Sequence, residues 1–231
     1  KDPFISNNQN NQMLELAIAR IRQLSAHEIG HTIGFAHNFA ASANNRASVM
    51  DYPHPLVDLK DDEIVFDDVY DTGIGDWDKV TVAYSYSHFK SDQNENDELN
   101  KILESATDDG LRFISDYDAR SLDGSHAYAH LWDNGATASS GLDKVIDIRK
   151  KAIQNFSEYN VPKGTPNSVL EDVFVPLYFF HRYQTEATAK IIGGMDYNYS
   201  LVGDNQNEFH YLDKDTCLLY TSDAADDLRG G

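Results

Sequence analysis

The sequence predicts a mainly α-helical chain, and three observations carry that prediction. Apolar residues recur at helical spacing in several separate stretches. Those stretches are bounded by residues that start or stop helices, among them Asp76 and Gly110. Finally, 41% hydrophobic and 11% aromatic residues in a chain of 231 are enough for one good core, so the helices have something to pack around.

The first helix is read from "MLELAIARIRQLSAHEIGHTIG", Met13 to Gly34. Leu14, Ala17, Ile18, Ile21 and Leu24 fall on one side of it. No proline interrupts it, and Gly34 is its stop, which gives a helix over roughly residues 11 to 34. An irregular stretch rich in Ala, Ser and Asn follows. It ends at "SVMDYPHP", where Pro53 and Pro55 forbid further helix. Between Asp58 and Asp71 stand seven acidic residues in fourteen positions. Such a run reads either as a solvated loop or as a calcium site, although its spacing matches no EF-hand loop.

Helices then dominate. "DWDKVTVAYSYSHF" starts at Asp76 as N-cap, and "NDELNKILESATDDG" ends on Gly110. "GLDKVIDIRKKAIQNFSEYN" brings Leu142, Val145, Ile146, Ile153 and Phe156 near one face. "NSVLEDVFVPLYFFHRYQTEATAKIIGG" reads as a single helix, capped by Asn167 or Ser168, kinked at Pro176 and stopped at Gly193 and Gly194. The last stretch, "TCLLYTSDAADDLRGG", continues no earlier pattern. It reads as a non-native tail resembling translated sequencing-adapter read-through, or as a disordered terminus.

Charge narrows the partners. Nineteen basic against thirty-eight acidic residues give a net charge of −19, a field that repels nucleic acid and anionic membrane surfaces. The longest apolar run, Val173 to Phe180, is too short to span a bilayer. Cys217 is the single cysteine, so no internal disulfide forms and cysteine usage does not reveal the redox compartment. The opening "KDPFISNNQNNQ" lacks an initiator Met, a basic region and an apolar region, as expected of a fragment or a processed product without its own signal peptide.

Chemistry concentrates in "HEIGHTIGFAH", residues 27 to 37. Residues four apart share a helix face, so His27 and His31 aim two imidazoles at one point. Glu28, next along the helix, is placed to reach a water on a metal held there. Gly34 permits a sharp turn that brings His37 back as a third ligand and leaves a fourth position open. A zinc ion held this way lowers the pKa of its water from 15.7 towards about 7, and Glu28 takes the proton during attack on a carbonyl. Beyond the trio, Met50 taken alone reads as core filler and Tyr52 as a packing tyrosine.

The run from His27 to His37, with "SVMDYP" after it, resembles the metzincin zinc peptidases and their Met-turn. "LAIARIRQLSAHEIGHTIGFAHNFAAS", "YDTGIGDWDKVTVAYSYS", "GLRFISDYDAR", "AHLWDNG" and "VPLYFFHRYQTEA" are similar to a bacterial family of large zinc-dependent metalloproteases, the Met-zincin group, over roughly residues 12 to 204. The resemblance implies the C-terminal portion of an α+β catalytic domain carrying an α-helical subdomain. It implies the active-site helix, zinc motif and Met-turn in residues 1–57, a mainly helical subdomain in 58–215, and the tail in 216–231. It further implies one catalytic zinc, His27, His31 and His37 as its ligands, Glu28 as base, Met50 at the Met-turn, Tyr52 near the oxyanion, and a protein or peptide substrate outside the cytoplasm. A zinc-binding module without catalysis is the alternative, and a zinc hydrolase of non-peptide amides is a third reading. His126 and His130 are read as structural or cleft residues ahead of a second metal site, His54 as a cleft residue, His181 as a hydrogen-bonded core histidine, and Trp77 and Trp132 as core.

Overall fold

The computed structural model describes residues 7–120, 124–203, 209–214 and 216, with no account of the side chains of 7–10. Apart from Thr216, the expected non-native tail lies outside the described residues. The described residues are mainly α, as the periodicity predicts, with two short antiparallel ribbons.

Helix α1 runs Asn7–Thr32. Its end is closed by Gly34, which takes φ +94, and by the Phe35 amide, which donates back to the Gly30 carbonyl at 3.0 Å. Leu14, Ile18 and Ile21 remain exposed along one face of α1, at 57, 37 and 63%. No helix among the described residues is long and apolar enough to cross a membrane.

Past Gly34 the chain is pinned by its backbone. The Asn38 amide donates to the Met50 carbonyl at 3.0 Å, and the Phe39 amide donates to the Ile114 carbonyl at 2.8 Å. The fully buried Asn38 side chain donates to the Arg112 carbonyl and accepts from the Ala40 and Ile114 amides. Around this seam lies the core of Phe39, Ala40, Ile114, Ala119, Ala129 and Leu131, with Tyr52 and Tyr197 packed against it. Burying Phe39 fully contributes about 1.5–3 kcal/mol.

The acidic run folds as a hairpin, β1 (Asp58–Lys60) against β2 (Glu63–Val65). Asp61 and Asp62 make its turn at φ 52 and 64, the left-handed geometry a tight hairpin requires. Its acids are dispersed into separate ion pairs, Asp62 with Lys151, Asp67 with Lys60 and Asp71 with Arg46. The calcium alternative therefore has no cluster of acids behind it among the described residues. Among the described residues the group of three or more metal-type side chains that converges is the histidine trio.

Helix α2 (Asp76–Tyr86) is capped by Gly75 rather than by Asp76. A β-carbon at position 75 would lie 2.0 Å from the Ala47 carbonyl oxygen, so glycine is required. The capping carboxylate is that of buried Asp78, which accepts from the Gly75 and Val49 amides and from the Ser48 hydroxyl. Helix α3 (Glu95–Asp108) begins at Asn94 and ends at Gly110, φ 73. The four-residue α4 (Asp116–Ala119) and the longer α5 (Ala138–Gln154) follow. The single kinked helix expected around Pro176 is instead two, α6 (Ser168–Tyr178) and α7 (Arg182–Ala189). Proline lacks an amide hydrogen and its ring crowds the preceding turn, and here the helix ends two residues later. Ala138, Ala187 and Ile191 pack α5 on α7. The second ribbon pairs β3 (Met195–Asp196) with β4 (His210–Tyr211).

Candidate metal centre

The structure brings His27, His31 and His37 together, with one nitrogen of each lying within 4.8 Å of the others. His27 is buried, His37 half-buried and His31 exposed, so the cluster opens to solvent on one side. Burial holds the His27 pKa below the usual imidazole value, and the neighbouring His31 and His37 add to the effect against the Val49 carbonyl and Glu28.

The other nitrogen of each ring is already engaged. His27 Nδ1 lies 2.8 Å from the Val49 carbonyl, His31 Nδ1 2.9 Å from the Phe35 carbonyl, and His37 Nδ1 2.8 Å from Asp116 Oδ2. All three partners can only accept, so each neutral ring carries its proton on Nδ1. The Nε2 atoms are thereby left with their lone pairs free, and His31 Nε2 lies only 3.1 Å from His37 Nε2. Two lone pairs cannot satisfy each other, whereas a cation between them satisfies both. Nitrogens bound to one tetrahedral zinc at 2.0–2.1 Å lie about 3.3 Å apart, so the residues present fit such an ion.

Glu28 lies exposed beside His27 on α1. Met50 is 2% exposed beneath the helix, and a β-carbon at Gly30 would stand 2.2 Å from its sulfur. The Tyr52 ring lies 4.8 Å from the His37 ring and 5.4 Å from the His27 ring. His54 is half-buried, its ring set against Phe180.

Other expectations need adjustment. Trp132 is not core. It is 36% exposed, at φ 58, and lies between Tyr52 and Tyr183. With Arg120, His130, Tyr183 and Glu186 it lines an open cleft, and Arg120 and Trp132 both also touch the Tyr52 ring. Trp77 is half-buried and stacked on Phe113. His181 is only half-buried, and its Nδ1 finds no partner among the described residues. His126 is fully buried, receiving the Tyr128 amide on Nδ1 and donating from Nε2 to the Tyr197 carbonyl. Sequence reasoning overlooked Asp116, Gly30 and Asp78. "GLRFISDYDAR" drew notice as a stretch, but nothing in it marks one acid as the partner of a histidine 79 positions away.

No curated protein and no solved structure matches the chain. A family profile described as Met-zincin matches residues 9–217, nearly the whole sequence. With that match over a chain whose three histidines converge, the protein belongs to the Met-zincin family.

Proposed function

We propose that this protein is a zinc-dependent endopeptidase, with His27, His31 and His37 as metal ligands and Glu28 as general base. The observation that carries the reading is the convergence of His27, His31 and His37, one nitrogen of each within 4.8 Å of the others, while each Nδ1 already meets an acceptor. Zinc held by His27, His31 and His37 would supply Lewis acidity towards a peptide carbonyl and would bring the pKa of an attacking water towards about 7. The Glu28 carboxylate receives the proton of the attacking water and returns it to the leaving amine nitrogen. The Tyr52 hydroxyl donates to the carbonyl oxygen as negative charge grows on it. Met50 floors the site under Gly30, and Gly34 supplies the turn that returns His37. A protein or peptide substrate, met outside the cytoplasm, suits the family and the strongly acidic chain.

Zinc stoichiometry and casein hydrolysis, measured on the parent, His37→Ala and Glu28→Ala, test this. One zinc is expected in the parent and in Glu28→Ala, and less in His37→Ala. Loss of Glu28 lowers hydrolysis by about 10²–10⁴-fold. Zinc without hydrolysis in the parent would leave a metal-binding interaction module, and absence of zinc would overturn both readings.

A further inference from the structure

His27 and His31 are oriented by backbone carbonyls close to the helix, those of Val49 and Phe35. His37 is different. Beyond the Gly34 turn it has left α1, and its Nδ1 is met by a side chain, Asp116 Oδ2, at 2.8 Å. That carboxylate is itself held. Its Oδ1 accepts from Arg120 Nε at 2.7 Å, which leaves Oδ2 to the imidazole, and the Ser115 hydroxyl approaches Oδ2 at 3.4 Å.

The position of Asp116 is fixed from both directions along the chain. Upstream, the Ile114 amide donates to Asn38 Oδ1 and the Ile114 carbonyl accepts from Phe39, so this segment is in register with the residues just after His37. Downstream, Asp118 accepts from the hydroxyls of Tyr197 and Tyr199. The Arg120 guanidinium also lies 5.0 Å above the Tyr52 ring. A plain surface ion pair would need none of this support and would be worth little, since Asp116 is 42% exposed.

We propose that Asp116 is a positioning residue of the metal centre. It holds His37 as the Nδ1–H tautomer, with the Nε2 lone pair turned towards His27 and His31. The proposal rests on the metal-site reading above. Carboxylates that orient a ligating imidazole change metal affinity by 10–100-fold when removed, and that is the effect expected here.

The test uses the full chain and two near-isosteric variants, Asp116→Asn and Asp116→Leu, of which only the first keeps an acceptor for Nδ1–H. Zinc affinity is measured by competition with a chromophoric chelator. The tautomer of His37 is read from imidazole ¹⁵N shifts in metal-free protein, and circular dichroism checks the fold. Asp116→Leu should weaken zinc binding by about 10–100-fold and shift His37 towards Nε2–H, with helix content unchanged. Asp116→Asn should keep the Nδ1–H tautomer and lie within a few-fold of the parent. Parent-like affinity and tautomer in Asp116→Leu would overturn the proposal, as would equal losses in both variants. A parent that binds no zinc would sink the metal reading itself, while the His37 tautomer in parent and Leu variant would still decide the role of Asp116.

Discussion

At Gly30 the absence of a side chain is a packing requirement. A β-carbon there would stand 2.2 Å from the sulfur of Met50, and Met50 is too deeply buried to move freely. Gly30→Ala gains up to about 1 kcal/mol of helix propensity. Overpacking costs about 1–3 kcal/mol and displaces the methionine from beneath the helix that carries His27 and His31. The expected result is a Tm lower by a few degrees together with weaker zinc binding, both read by thermal melts with and without metal. A raised Tm would show that Met50 yields at no cost. The three histidines and Gly34 were legible because they lie within eleven consecutive residues, where the helical period relates His27 to His31 and a turn at Gly34 accounts for His37. Gly30 was legible only as a glycine, since its reason is a contact with a residue twenty positions on. Asp116 was not legible at all, because a pairing across 79 residues leaves no periodic trace.

Elements follow the same division between local and distant causes. Helices α1, α2, α3 and α5 were readable from apolar spacing and end signals. The hairpin at Asp58–Val65 was missed because its strands are three residues long and its turn is built from two aspartates, residues that also suit a solvated loop. The break between α6 and α7 was underestimated because Pro176 shows where a helix is weakened but not whether it resumes in line. The cap of α2 offers a direct test. Asp78 carries three hydrogen bonds in a buried setting, while Asp76 makes an exposed pair with Lys79. Asp78→Ala should therefore cost at least about 3 kcal/mol in urea unfolding, and Asp76→Ala less than about 1. The reverse order would return the capping role to Asp76.

For the whole molecule, buried ionisable groups set how stability depends on pH. Burial drives His126 and His130 down to about 4, and lowers His54 and His181 in the same direction. Between pH 4 and 6.5 the unfolded chain binds protons that the folded chain refuses, so stability rises with pH, by roughly 3 kcal/mol from His126 alone. The buried carboxylates act oppositely. Burial raises Asp133 to about 7, and burial together with the Asp133 charge holds Asp51 well above its usual range. The folded chain thus keeps protons that the unfolded chain has released, and stability declines until pH passes about 7. Thermal melts across pH should show a maximum near 6.5, with the decline above it flattened in Asp133→Asn. A steady rise through pH 8 in the parent would contradict the carboxylate assignment. The uncovered stripe of Leu14, Ile18 and Ile21 on α1 acts at this scale as well. Covering it frees water from hydrocarbon and so lowers heat capacity. Calorimetry at two temperatures consequently reads the fate of that face directly: an association enthalpy that grows more negative on warming marks the stripe as buried, whatever surface has closed over it.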